Sequence, residues 1–182
     1  MAIKITYFVH GTTTDNERRL SSGWKDVELS ELGVQQAIDL KELAKDKKFD
    51  VIFCSDLKRA CESAELAWKG MCPIISDERL RECNYGELNG VSSDIVDPMK
   101  EGECIEKSFP SGESYEEVKT RIAHFLDFLR QNYDGKHIAI VAHQAPQLSL
   151  DVLLRGKTWE QALAEDWRKS KKWQPGWEYE VN

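Results

Sequence analysis

The stretch that decides the fold is Ile3–Gly11, "IKITYFVHG". It is a short run rich in β-branched and aromatic residues that stops at a His-Gly pair, and it reads as a strand. Two later stretches are built alike. "DVIFC" at Asp50–Cys54 and "KHIAIVAH" at Lys136–His143 are short continuous apolar runs, the pattern of strands buried on both faces. Pro73 to Ile75 is a third, weaker candidate of this kind.

Helical patterns separate these runs. Ser30 caps a predicted helix through Leu32, Ala37, Ile38, Leu40 and Ala44 to about Asp46. Ser55 and Asp56 open a second one, whose Ala60, Ala64, Ala67 and Trp68 share a face and which Gly70 stops. Ser114 and Glu117 form a capping box ahead of an amphipathic helix with Val118, Ile122, Phe125, Leu126 and Leu129 inward. Pro146 lies near the start of a further helix, "QLSLDVLLRG", where its missing N–H costs little. Residues 83–112, with four glycines and two prolines, read as a long irregular segment, either functional or a lid. The tail is expected to end in a strand, "WEYEV". Alternation of strands and helices predicts an α/β fold, a three-layer α/β/α sandwich with a mostly parallel sheet and helices on both faces.

The 182 residues suit one domain, 1–182. Hydrophobic residues make up 41% and charged residues 31%, enough to build a core. The formal net charge of −7 argues against a generic nucleic-acid or membrane-surface binder, which needs a basic face. No apolar run approaches a membrane span, and the start lacks the features of a secretory signal. The five cysteines, Cys54, Cys61, Cys72, Cys83 and Cys104, contain no C-x-x-C pair and read as free thiols of a cytoplasmic protein, Cys54 and Cys61 packing as small hydrophobes. Trp159, Trp167, Trp173 and Trp177 alternate with Arg168, Lys169, Lys171 and Lys172. Such a tail can stack on a nucleic-acid strand, but on an acidic chain the preferred reading is that it closes the core.

In an open α/β sheet ligands sit beyond the carboxyl ends of the strands. That rule selects His10 after the first strand, Arg59 in the first turn of the helix after "DVIFCSD", Glu82 after the third strand, and His143 after "HIAIVA". Together they suit phosphoryl transfer: an imidazole nucleophile, a planar fork for two phosphate oxygens, a carboxylic acid for the leaving oxygen, and a second, protonated imidazole as donor. The N–H groups that follow His143 at a helix start would favour the same anion. Taken singly, each residue has a plainer reading. A His-Gly pair can be only a turn, Arg59 a surface helix residue, and Glu82 part of an ion-pair cluster with Arg79, Arg81 and Glu87. His10, Glu82 and His143 also compose a conceivable mononuclear metal site. His124 and His137 read as a helix-surface residue and a strand start.

The sequence resembles the histidine phosphatase superfamily, the phosphoglycerate mutase-like proteins. The blocks that carry this are "FVHGTTTDN", "CSDLKRACESAE", "RLRECNYGELNG", "PSGESYEEVKTRI" and "IAIVAHQAPQ", in family order over roughly residues 3 to 155. The resemblance implies His10 as the phosphorylated nucleophile, Asn16 and Arg59 as phosphate ligands, Glu82 as the general acid that then activates water, and His143 as the second pocket histidine. Thr13 would help the pocket through its hydroxyl or backbone. No metal and no organic cofactor is implied for hydrolysis, whereas mutase members need a bisphosphoglycerate primer. Two positions depart from the family pattern. Val9 stands where the family has arginine before the nucleophile, with Arg18, Arg19 or Arg81 as candidate substitutes. Gln144-Ala145-Pro146 follows the distal histidine, and Gln144 would lie near the leaving group. The expected activity is hydrolysis of a small phosphorylated metabolite, with a mutase, or a degenerate member that binds phosphate ligands or a protein partner, as alternatives. Monomer or dimer stays open.

Overall fold

The computed structural model of the chain describes residues 1–170 and 176–182. Its main sheet has five strands in the order β4-β3-β6-β1-β7. These are β1 (Ile3–Val9), β3 (Val51–Cys54), β4 (Ile74–Ser76), β6 (His137–Ala142) and β7 (Trp177–Val181). The first four run parallel, and β7 joins the edge of β1 antiparallel. A short ribbon pairs β2 (Leu20–Ser21) with β5 (Val91–Ser92). The expected α/β architecture with a mostly parallel sheet is therefore observed.

The continuous apolar runs form strands because both faces of the sheet are covered. Ile5, Tyr7 and Val9 of β1, Phe53 of β3, and Ile138 and Ile140 of β6 face one layer. There they meet Val118, Ile122, Phe125, Leu126 and Leu129 of α5 (Tyr115–Asn132) and Leu148 of α6 (Gln144–Arg155). The alternate residues Phe8, Ile52, Cys54, Ala139 and Val141 face Leu40 of α2 (Glu31–Leu43) and Ala64, Ala67 and Trp68 of α3 (Lys58–Trp68). Phe53 makes edge-on ring contacts with Phe125 and Tyr133, both at 5.3 Å between centroids. The capping box of Ser114 and Glu117 forms as expected.

Several boundaries move. α2 ends at Leu43, short of Asp46. α3 begins three residues after Ser55, because Ser55 accepts the N–H of Leu57 and Asp56 turns to Arg81 instead of capping. Residues 83–112 are less irregular than their composition suggests. They hold β5 and α4 (Ser93–Lys100), the latter carrying Pro98 inside it. A proline in a helix removes one N–H donor and argues against a helix in any local reading. Here Ser92 caps the start, and Val96 is buried on the inner side. Two short helices carry capping boxes of their own, α1 (Thr14–Glu17) and α7 (Trp159–Ala164).

All five cysteines are free thiols, and Cys54 and Cys61 pack with their sulfurs 3.6 Å apart. Trp159 and Trp177 are buried in the larger cluster, with Trp167 packed against it. The tail aromatics there close the core, while Lys171, Lys172 and Trp173 lie outside the described residues. Among the described residues no helix is long and apolar enough to cross a membrane.

One close approach fixes the exit from β1. A Cβ on Gly33, in the first turn of α2, would fall onto the carbonyl oxygen of Thr12, and one on Gly11 would fall onto that of Gly33. The turn after His10 is thus laid directly on the start of α2. Gly33→Ala is expected to destabilise the fold by about 1–3 kcal/mol, as overpacking against backbone does. A urea unfolding midpoint equal to that of the wild type would refute this.

Candidate active site

The parallel register pairs Val9 with Ala142, and the N–H of His10 donates to the carbonyl of Ala142 at 3.1 Å. The chain leaves both strands at this point, so His10 and His143 emerge side by side. Their ring centroids lie 5.0 Å apart with planes inclined at 59°.

His10 Nδ1 is 2.7 Å from its own neighbour's carbonyl, Gly11 O. A carbonyl only accepts, so Nδ1 carries the hydrogen and Nε2 keeps its lone pair. Burial, and secondarily the Arg59 charge, hold the His10 pKa down to about 3. The ring is therefore neutral near pH 7, with one nitrogen available as a nucleophile. The Gly11 N–H donates to Ser63 Oγ at 3.0 Å, and Ser63 Oγ donates to Arg59 O at 2.7 Å. This ties the His10 turn to the first turns of α3.

His143 is fully buried, and neither ring nitrogen has a hydrogen-bond partner among the described residues. Its pKa is pushed well below the ordinary 6.5 by burial, then by Arg59 and His10. The structure holds this imidazole neutral rather than protonated, contrary to the expectation of a charged donor. Two unpartnered ring nitrogens at one buried position are costly, at about 1–3 kcal/mol for a neutral group, and mark unused hydrogen-bonding capacity. The backbone beneath the ring is fixed by Tyr7, whose hydroxyl accepts the His143 N–H at 2.9 Å and donates to His143 O at 2.7 Å.

Arg59 is buried, not a surface residue. It donates to Gly23 O at 2.7 Å and Lys25 O at 3.0 Å, and lines the same cavity as His10. Glu82 is also buried. Arg79 pairs with Asp77 and Arg81 with Asp56, so the ion-pair cluster around Glu82 does not form. Glu82 instead accepts from the N–H groups of Cys83 and Ala145, both at 2.9 Å, and of Gln144 at 3.2 Å. The helix N-terminus after His143 is thus occupied by this carboxylate, which corrects the expectation that its N–H groups take the substrate anion directly. Trp24 and Arg121 hold the other side of Glu82 by donating to its carbonyl at 2.7 and 2.9 Å.

A cavity of about 440 Å³ is shared by three of these groups, His10, Arg59 and Glu82, while the buried His143 is not part of its lining. Val9, His10, Asn16, Arg59, Glu82 and Gln144 line it. Thr13 does not. It is buried as the cap of α1, where its hydroxyl accepts the Asn16 N–H and Asn16 Oδ1 accepts the Thr13 N–H, both at 3.0 Å. Gln144 reaches from its side-chain amide to Asp166. Ser93, Asp97, Lys100 and Glu101 from the 83–112 segment form one wall, and Leu163 with Asp166 to Lys169 supply another. Of the expected substitutes for the missing arginine, Arg18, Arg19 and Arg81 all lie outside the lining. Arg18 is exposed, Arg19 pairs with Asp94 at 2.6 Å, and Arg81 stacks on Trp24 at 4.6 Å. His124 is exposed on α5, and His137 starts β6. Among the described residues no set of three His, Cys, Asp or Glu side chains could hold a metal ion, so His10, Glu82 and His143 do not converge as ligands.

Paired histidines at adjacent strand ends, with an arginine and a carboxylate beside them, place the chain in a defined class. Residues 7–168 match the family model of the histidine phosphatase superfamily (branch 1), and the chain belongs to that superfamily. Among curated relatives it is similar to the 2,3-bisphosphoglycerate-dependent phosphoglycerate mutase of Allorhizobium ampelinum, 30% identical over 171 residues, covering 85% of this chain and 81% of that protein. The corresponding protein of Streptococcus pneumoniae is 40% identical over 94 residues, and this match spans only 41% of the streptococcal protein's length and 48% of this chain. Among solved structures, Bacillus stearothermophilus YhfR superposes with a TM-score of 0.77 at 26% identity, covering 88% of this chain and 83% of that one. A mycobacterial glucosyl-3-phosphoglycerate phosphatase, solved with VO3, gives 0.76 at 26% identity, covering 88% and 86%.

Both site histidines are neutral in the fold and bind protons more readily once unfolded. Stability therefore rises with pH between the depressed native pKa values and about 6.5, and is lost as pH falls through that window. The unfolding midpoint is expected to drop from pH 7 to pH 5, and to drop less in His143→Gln. An equal drop in wild type and variant would exclude His143 as a source.

Proposed function

We propose that this chain is a phosphomonoester hydrolase that works through a phosphohistidine at His10 on a small phosphorylated metabolite. The observation that carries this reading is the Gly11 carbonyl on His10 Nδ1, which leaves the Nε2 lone pair for the cavity that Arg59 and Glu82 share. In the first step Nε2 bonds to phosphorus and the bond to the leaving oxygen breaks. Glu82 gives that oxygen its proton. In the second step the Glu82 carboxylate takes a proton from water, whose oxygen attacks phosphorus and releases His10. Arg59, which lines the cavity, receives the equatorial oxygens, and the His143 ring beside His10 is a further donor once a phosphate dianion offsets the burial that keeps it neutral.

The names of the curated relatives favour one other reading, transfer of phosphate between positions of phosphoglycerate. A panel of p-nitrophenyl phosphate, sugar phosphates and 3-phosphoglycerate with and without 2,3-bisphosphoglycerate separates the two. Wild type is expected to release inorganic phosphate, and His10→Ala to release none. Primer-dependent isomerisation without phosphate release would establish the mutase instead. No turnover by wild type would leave a member that only binds.

Glu82→Gln provides a second check. It is expected to lower kcat/KM for alkyl phosphates, which reports the first step and not the Glu82-assisted second one, by about 10²–10⁴, the usual worth of a general acid. p-Nitrophenol leaves without help, so the loss on p-nitrophenyl phosphate should be much smaller. Equal losses on both would remove Glu82 from the acid role.

A further inference from the structure

Four cations line the cavity: Arg59, Lys100, Arg168 and Lys169. Lys100 pairs with Asp97 at 2.7 Å, and Lys169 with Glu101 at 3.1 Å, so each already has an acid on the α4 wall. Arg59 uses two of its donors on the Gly23 and Lys25 carbonyls. Arg168 differs. Its Nη1 donates to Asp166 Oδ1 at 3.0 Å, and Nε and Nη2 have no acceptor among the described residues. Its side chain keeps 31% of its surface, and its guanidinium lies 4.7 Å from the centre of the Trp167 ring.

The carboxylate that holds Arg168 is itself held. Asp166 is buried, accepts the Arg168 backbone N–H at 3.1 Å, and takes the Gln144 side-chain amide on its other oxygen. The Gln144 N–H in turn donates to Glu82. A chain of hydrogen bonds thus runs from the catalytic carboxylate through Gln144 and Asp166 to the Arg168 fork. At the strand ends the residue before His10 is Val9, which lines the cavity but offers no donor.

We propose that Arg168, delivered across the cavity mouth by the segment after α7, is the second guanidinium of the phosphate site and binds the phosphoryl oxygens alongside Arg59. The inference rests on the phosphate-binding reading of the His10 cavity. Asp166 fixes the plane of the fork, so the donors left over point as a set, which suits two oxygens of one phosphate. Burial dominates the pKa shifts of Tyr7, His10 and His143, and the Arg168 charge is the smallest of the causes that act on each. Lys169 on Glu101 anchors the same segment to α4.

The test is titration of inorganic phosphate by calorimetry into wild type, His10→Ala, Arg168→Met and Arg168→Lys, with turnover of p-nitrophenyl phosphate followed in parallel. Arg168→Met is expected to bind phosphate at least about tenfold more weakly at an unchanged melting temperature, and to lose on the order of 10² in kcat/KM. Arg168→Lys should fall between, because it keeps the charge and loses the fork. His10 and His143 titration, read by NMR, should move up in Arg168→Met, which a purely structural role on Trp167 would not produce. Wild-type affinity in Arg168→Met overturns the inference, and if wild type turns over while His10→Ala does not, the hydrolase reading survives that loss. Wild type that neither binds phosphate nor turns over overturns both. Should Arg168→Met not fold, Arg168→Lys decides: at least about threefold weaker binding is expected, and unchanged binding refutes the fork.

Discussion

The parallel register between β1 and β6 is the constraint on which the site depends. It pairs Val9 with Ala142 and so releases His10 and His143 from the sheet at the same level. Because side chains alternate in a strand, a slip of one residue would turn Tyr7 from the α5–α6 layer to the α2–α3 layer. The two hydrogen bonds from its hydroxyl to the His143 backbone would be lost with it. The start of α6 is placed by the same register, and Glu82 reaches the site by docking on that helix start. His10, His143 and Glu82 are therefore positioned by backbone pairing first and by side-chain contacts second.

The strands that carry these residues were legible because they are apolar without interruption, and the sheet is covered on both sides. The four strand-end residues followed from that reading and one rule about where ligands bind. What stayed hidden had specific causes. α4 contains Pro98, which speaks against a helix locally and is overridden by the burial of Val96. α7 opens on Thr158 and Gln161, a capping box visible in "TWEQ" but followed by only six helical residues. Tyr7, Ser63 and Trp24 position His143, His10 and Glu82 through partners 136, 52 and 58 residues away respectively, and no local pattern announces such pairs. Ser63 had a partial signal, since it lies one turn after Arg59 on the same helix face.

The cavity shows how an acidic chain can be built to accept an anion. Lys100, Arg168 and Lys169 each face a carboxylate, and Arg59 faces carbonyls, so every cation is held in place before a ligand arrives. Both imidazoles are kept neutral by burial and by the arginine beside them. The four cations of the lining are matched by four carboxylates, Glu82, Asp97, Glu101 and Asp166, and both imidazoles are neutral, which leaves a ring nitrogen of His10 with its lone pair free at neutral pH. A net charge for the chain describes none of this, because the balance is struck within one cleft.

Among the described residues, the strand that leads to His10 pairs only with segments far along the chain. β1 meets β6 at residues 137–142 and β7 at residues 177–181. During synthesis it waits, with both edges open, for more than a hundred residues to emerge. Contacts of such long range make for slow folding, and an unpaired hydrophobic strand can join the wrong partner in the meantime. The active centre is consequently among the last features to form, and a ribosome-bound or truncated chain ending before β6 contains His10 without any site around it.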